Sequence, residues 1–327
     1  MNQQLLNLRP NNFNDFIGQE KLKSTLETMI FSAKKQQIPL DHILLYGPPG
    51  TGKTTLASII SEQVGARIHY LQGSLLDKKS DILSIFANVQ ENDIIFIDEI
   101  HSINKNLEEL IYNAMEDFKI DLILGPDGNS KAIRMKLKPF TLIGATTRLN
   151  LLSQPLKDRF GLKAHISNYT IMDIEKIINK SKQKMNIVLE KGVVNLIAKY
   201  SRFTPRIANN LLKRINDFSI RKNEKTISIA TVVETFKHIE LFENGLNREH
   251  LDYLKLLIDV FDEKWASLDS IAGILNNSKE LLINEIEPIL LNLKLIEKSS
   301  RGRRITILGI DYLLKNKNAN LNNEFYA

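Results

Sequence analysis

His42-Ile43-Leu44-Leu45-Tyr46-Gly47-Pro48-Pro49-Gly50-Thr51-Gly52-Lys53-Thr54-Thr55-Leu56 is the stretch that decides the fold. An apolar run of strand length feeds a glycine-rich turn closing on Lys53-Thr54, and a helical pattern continues to Val64. Strand, loop and helix in that order are the context in which Gly-x-x-x-x-Gly-Lys-Thr forms a phosphate-binding P-loop. The glycines let successive backbone amides curl around phosphate oxygens, and the helix N-terminus adds positive potential at the same point. Lys53 is then placed to reach the outer phosphates and the Thr54 hydroxyl to ligate Mg²⁺, so ATP and Mg²⁺ are the expected cofactors.

Downstream, Asp93-Ile94-Ile95-Phe96-Ile97-Asp98-Glu99 is an apolar strand that ends in two carboxylates. A buried strand gives adjacent acids no solvated face. Asp98 is therefore read as the Mg²⁺ holder and Glu99 as the group that polarises the attacking water. His101, just beyond, reads as a packing or hydrogen-bonding histidine with no catalytic role. Phe140–Gly144 forms a third buried strand followed by Ala145-Thr146-Thr147-Arg148. Thr146 is assigned to contact both lytic water and γ-phosphate, with Thr147 as the alternative. In Leu156-Lys157-Asp158-Arg159-Phe160 an Arg adjoins an Asp, which is most often a surface ion pair. Its place in the chain order favours instead an arginine finger that enters a neighbouring subunit's site. Thr204-Pro205-Arg206 opens an amphipathic helix, with Thr204 as N-cap and Pro205 at the first position. An Arg at the second position opposes the macrodipole, and an anionic ligand, the γ-phosphate, explains it.

The chain has 327 residues, enough for two or three domains, with 43% apolar and 25% charged residues, which is ordinary for a globular protein. It has no cysteine, which excludes disulfides, thiolate metal sites and cysteine nucleophiles. With no apolar run of about 18 residues and no secretory start, the expected location is cytoplasmic. The formal net charge of +6 raises the prior for nucleic acid only mildly. The pattern predicts an α/β P-loop NTPase domain with a parallel sheet over residues 1–167 and a small helical domain over 168–241. A winged-helix domain over 242–316 and a disordered tail over 317–327 complete it. Within the third domain, Ser267 and Ser278 are placed to cap helices, and Leu295–Lys298 and Arg303–Leu308 are expected to form a hairpin. Lys294, Lys298, Arg301, Arg303 and Arg304 face only Glu297 there, so the hairpin should bind duplex phosphates without reading bases.

P-loop, paired acids, strand-end Thr, trans Arg and helix-start Arg in this order resemble the AAA+ ATPases. The closer resemblance is to the RuvB family of bacterial Holliday-junction branch-migration motors. It is carried by Arg9-Pro10, Asp15-Phe16-Ile17-Gly18-Gln19, Asp98-Glu99-Ile100-His101, Gly144-Ala145-Thr146-Thr147-Arg148, Pro155-Leu156-Lys157-Asp158-Arg159-Phe160-Gly161 and Thr204-Pro205-Arg206-Ile207-Ala208-Asn209. The resemblance implies an ATP hydrolase coupled to DNA translocation, acting in recombination, repair and the SOS response. It also implies a homohexameric ring threaded by duplex DNA, loaded at four-way junctions by RuvA and working with RuvC in the resolvasome. By position, Arg9, Ile17, Gly50, Gly52, Thr55, Tyr169 and Glu116, Asp117 and Phe118 would contact nucleotide, while Lys298, Arg301 and Arg303 would contact DNA. Ile120–Lys138, with Asp127-Gly128 as its turn, would dock RuvA. Ser102 stands where the family usually has Arg, Leu71–Ser74 departs from Thr-Ser-Gly-Pro, and Lys298 replaces a common Arg. Two other readings compete. One is a clamp loader or replication initiator, although Lys157-Asp158-Arg159 is unlike the usual clamp-loader Ser-Arg-Cys. The other is a winged-helix regulator using ATP as a switch, which would have no need of Glu99.

Overall fold

The structure, a computed structural model, describes residues 8–124 and 131–321. The chain divides into two compact units, Met1–Ile187 with Phe203–Lys213, and Val188–Arg202 with Arg214–Ala327.

The first unit is built on five parallel strands: β1 (Ile43–Tyr46), β2 (Ile68–Gln72), β3 (Ile94–Asp98), β6 (Thr141–Thr146) and β7 (Leu162–His165), in the order β2-β3-β6-β1-β7. Strands covered on both faces must be apolar at successive positions, and every residue of β6 is buried. Alternate side chains serve opposite faces: Leu44, Ile95, Ile97 and Leu142 join one core cluster, and Ile43, Leu45, Ile94, Phe96, Ile143 and Ala145 the other. Pairing Tyr46 with Thr146 and Gln72 with Asp98 brings the carboxyl ends of the strands level, which is where open α/β sheets bind ligands. The three central strands match the apolar runs expected. The two edge strands, β2 and β7, carry alternating polar residues and were not expected. An antiparallel hairpin, β4 (Lys119–Leu124) with β5 (Lys131–Lys136), stands apart from the sheet. The expected turn Asp127-Gly128 lies outside the described residues.

In the second unit a core of Leu251, Leu254, Leu257, Ile271, Leu282, Ile286, Leu290, Ile296 and Ile305 joins three helices to an antiparallel hairpin, β8 (Ile296–Ser299) with β9 (Gly302–Ile305). Ser267 and Ser278 cap their helices, accepting from the amides of Ser270 and Leu281. The third helix has a π turn over Leu282–Ile286, just before Pro288. A proline within a helix lacks an N–H and its ring crowds the carbonyl four residues back, and a widened turn relieves both. The hairpin is shorter than expected. It ends at Ile305, because Thr306 accepts from the Gly309 amide and starts a helix, Ile307–Leu321. Residues 317–321 are therefore helical rather than tail, and 322–327 lie outside the described residues. Gly302 is required by close approach as well as by its φ of 127°, since a Cβ there would sit 2.1 Å from the Ala266 carbonyl oxygen.

Candidate active site

A cleft of about 610 Å³ opens at the carboxyl edge of the sheet, lined by Gly50, Gly52, Lys53, Thr54 and Thr55 of the P-loop. Lys53 is 7% exposed and donates to the carbonyls of Gly47 and Pro48, 2.8 Å from each. Burial pulls its pKa below the ordinary lysine value, against the opposing pull of Glu99 and Asp98. The Thr54 hydroxyl donates to Asp98 Oδ2 at 3.3 Å. These are two hard oxygen donors on adjoining elements, and no group of three His, Cys, Asp or Glu side chains gathers among the described residues. That sparse oxygen set suits Mg²⁺, whose octahedron is mostly completed by phosphate oxygens and water.

Arg9, Ile17 and Tyr169 line the same cleft, as expected of nucleotide contacts. The Tyr169 hydroxyl donates to the Thr51 carbonyl at 2.9 Å, and burial raises its pKa. Arg206 lines the cleft from the second position of the helix Pro205–Arg221. Gly50, with φ 75°, is what admits this segment: a Cβ there would lie 2.8 Å from the Thr204 methyl. Ile177, Lys180, Ser181 and Lys184 form one further wall, and Asn209, Asn210 and Lys213 extend another. None of these was given a role from sequence. A signal was present, since 206, 209, 210 and 213, like 177, 180, 181 and 184, fall at helical i, i+3, i+4, i+7 spacing.

Three expectations are corrected. Thr146 is fully buried and turned to His101 Nδ1 (2.9 Å) and the Arg148 amide (2.9 Å), whereas Thr147 donates to Glu99 Oε2 through its amide (3.2 Å) and hydroxyl (3.0 Å). Thr147 is thus the strand-end Thr that meets the acid. Glu116, Asp117 and Phe118 do not line this chain's cleft. Glu116 is instead 2.6 Å from the Arg159 guanidinium, which also stands 6.0 Å from the centre of the Tyr112 ring. Arg159 is likewise outside the cleft. Arg159 and Glu116 therefore meet each other outside the cleft. Among the departures from the family pattern, Ser102 is exposed, and Gln72 at the end of β2 lines the cleft.

The third correction concerns the wing. Arg303 is 8% exposed, and its guanidinium meets Glu287 Oε1 at 2.6 Å and Oε2 at 3.3 Å. The Tyr253 hydroxyl donates to the same carboxylate at 3.1 Å. Arg303 holds the wing to the helix behind it, with its Nε and Nη2 engaged by Glu287. Lys298 is exposed and only loosely paired with Glu287, at 3.7 Å. Arg304 pairs with Glu297 and lies 5.0 Å over the Trp265 ring. Arg301, at the tip, and Lys294 are exposed and have no ion pair among the described residues.

A five-stranded parallel sheet with a P-loop, an Asp-Glu strand end and a helix-borne Arg at one cleft, followed by a winged helix, defines an AAA+ P-loop NTPase. Family models match almost the whole chain. The Holliday junction DNA helicase RuvB P-loop domain matches residues 8–166, the RuvB AAA lid domain 169–241 and the RuvB C-terminal winged helix domain 243–314. The chain belongs to the RuvB family. It is 55% identical over 306 residues to the Holliday junction branch migration complex subunit RuvB of Mycoplasmopsis pulmonis, covering 94% of this chain and 97% of that one. The corresponding subunit of Pseudothermotoga lettingae is 43% identical over 310 residues, covering 94% and 90%. The solved Thermotoga maritima RuvB Holliday junction branch migration motor superposes with a TM-score of 0.82 at 36% identity, covering 94% of this chain and 98% of that one. No helix among the described residues is long and apolar enough to cross a membrane.

Proposed function

We propose that this chain is the ATP-hydrolysing motor subunit of a cytoplasmic complex that drives branch migration of Holliday junctions. The single observation that carries this is the convergence of Lys53, Thr54, Asp98, Glu99 and Arg206 on one cleft from which Arg159 is absent. One chain supplies binding, metal-holding and water-polarising groups, and an adjacent copy supplies Arg159. Such a division requires a head-to-tail assembly of copies, which the family resemblance makes a hexameric ring. Its parts are a large ATPase domain over 1–167, a lid over 168–241 and a DNA-binding winged helix over 242–316.

Bound between Thr54 and Asp98, Mg²⁺ would neutralise phosphate charge. The Lys53 ammonium exchanges its two carbonyl partners for outer phosphate oxygens, and Arg206 meets the γ-phosphate from the lid side. Glu99, anchored through Oε2, orients the attacking water. Arg159 from the neighbour stabilises charge in the transition state. Lys298 and Arg301 would grip duplex phosphates without base readout, and the β4–β5 hairpin would dock RuvA, with RuvC joining the assembly.

The test is a synthetic four-way junction incubated with the protein, RuvA and ATP. Resolution into duplexes is expected, with none for Lys53→Ala. Failure of the wild-type chain, or full activity of the variant, would overturn the proposal.

A further inference from the structure

Glu99 sits in the left-handed region, with φ 47° and ψ 49°, an uncommon conformation for a residue with a side chain. Its Oε2 is 3.1 Å from His101 Nδ1 and also accepts both hydrogen bonds from Thr147. Oε1 takes no hydrogen bond or ion pair from the described residues, and Glu99 lines the cleft. His101 Nδ1 lies at the same time 2.9 Å from the Thr146 hydroxyl oxygen. The His101 side chain is 11% exposed, and burial lowers its pKa despite the pull of Glu99. A neutral imidazole carries one N–H. Were that proton on Nε2, the Nδ1 lone pair would face a carboxylate oxygen at 3.1 Å. With the proton on Nδ1, that atom donates to the Thr146 oxygen, which also accepts from the Arg148 amide, and places its positive N–H edge 3.1 Å from Glu99 Oε2.

We infer that His101 is a positioning residue for Glu99: its Nδ1, 3.1 Å from one carboxylate oxygen, holds that oxygen electrostatically against the end of β6, so that the other is presented to the cleft. The role rests on the reading of Glu99 as the water-polarising acid. His101 itself does not line the cleft. It works by limiting the rotations of the carboxylate, with Thr147 as the second anchor. The pairing also links the acid to Thr146 and hence to the backbone of Arg148, so the two strand ends move as one. Fixing a catalytic group by hydrogen bonds behind it acts on turnover and leaves ground-state binding alone.

Three substitutions separate this from a packing role. Asn places an amide nitrogen where Nδ1 stands, Gln extends an amide towards the place of Nε2, and Ala offers neither. His101→Ala should lower kcat about tenfold while the Kd for ATP stays within a factor of two. His101→Asn should recover most of the loss and His101→Gln little. A packing role would rank the variants by volume and leave kcat untouched wherever the chain folds. An Ala variant with wild-type kcat, or Gln rescuing as well as Asn, overturns the inference. Nitrogen NMR of the wild-type chain gives a reading independent of turnover. Among its six histidines, the resonances lost in His101→Asn should show a neutral ring protonated at Nδ1, and a ring protonated at Nε2 overturns the inference as well. A wild-type chain that hydrolyses no ATP would instead defeat the function proposed above, while the NMR result would still decide the geometry.

Discussion

Replacing Arg303 with Ala strips the guanidinium from a carboxylate whose side chain is 1% exposed, leaving Glu287 charged and enclosed with the Tyr253 hydroxyl as a donor at 3.1 Å and Lys298 at 3.7 Å. Removing one partner of a buried ion pair costs about 3–5 kcal/mol. Urea slopes for a domain of this size are roughly 1.5–2 kcal/mol per M, so the unfolding midpoint should fall by about 2 M. The chain contains one tryptophan, Trp265, in the second unit. Its fluorescence therefore follows that unit's unfolding in the full-length protein. Replacing both partners by apolar residues, Glu287→Leu with Arg303→Met, should return most of the lost stability, since two matched apolar groups leave no uncompensated charge. Duplex affinity of the folded Arg303→Ala protein, measured by anisotropy without urea, should change less than that of Arg301→Glu. An unchanged midpoint together with a marked loss of duplex affinity would refute this account and restore Arg303 as a phosphate-binding residue.

Charge reversal at Lys298 or Arg301 should weaken binding equally on unrelated duplex sequences and reduce the log–log salt slope by about 0.9 for each phosphate no longer neutralised. Affinity that changes for one sequence alone would show base readout instead. Arg159→Ala should bind nucleotide normally while ring turnover falls about 10³-fold. Mixing it with Lys53→Ala should restore activity, because the second variant supplies the finger that the first lacks, and a mixture as inactive as its components would place Arg159 in its own chain's site. His250 is held at a pKa of about 3, first by burial and then by the charge of Arg202. It stays neutral when folded, whereas the unfolded chain takes up a proton below about pH 6.5, so stability falls as pH drops from 6.5 towards 3. At pH 5 the loss is about 2 kcal/mol relative to pH 7, visible as a lower urea midpoint by Trp265 fluorescence and absent in a folded His250→Gln variant.

The interior of the nucleotide site was legible because it depends on local order: a strand, a turn of fixed spacing and a helix start bring Lys53, Thr54 and the adjoining glycines together with no long-range information. Asp98 and Glu99 were legible for a related reason, as acids ending a run too apolar to be a surface loop. The edge strands Ile68–Gln72 and Leu162–His165 were not, since a strand with one open side carries polar residues and loses its apolar signature. The choice between Thr146 and Thr147 turned on which side of the strand end faces Glu99, and strand termini are where alternation breaks down. Arg303 misled because a basic residue in a basic hairpin reads as surface. Its partner Glu287 lies sixteen positions upstream on a helix whose π turn precedes it, and no local pattern announces that pairing.

Arg159 and Glu116 remain joined in the single chain, with the guanidinium Nε enclosed and lacking an acceptor. In the proposed ring, a solitary subunit would keep its finger against its own acid, and a triphosphate on an adjacent copy would compete for it. Fuel consumption would then be tied to assembly, with rapid cleavage waiting for a neighbour whose cargo draws the arginine away.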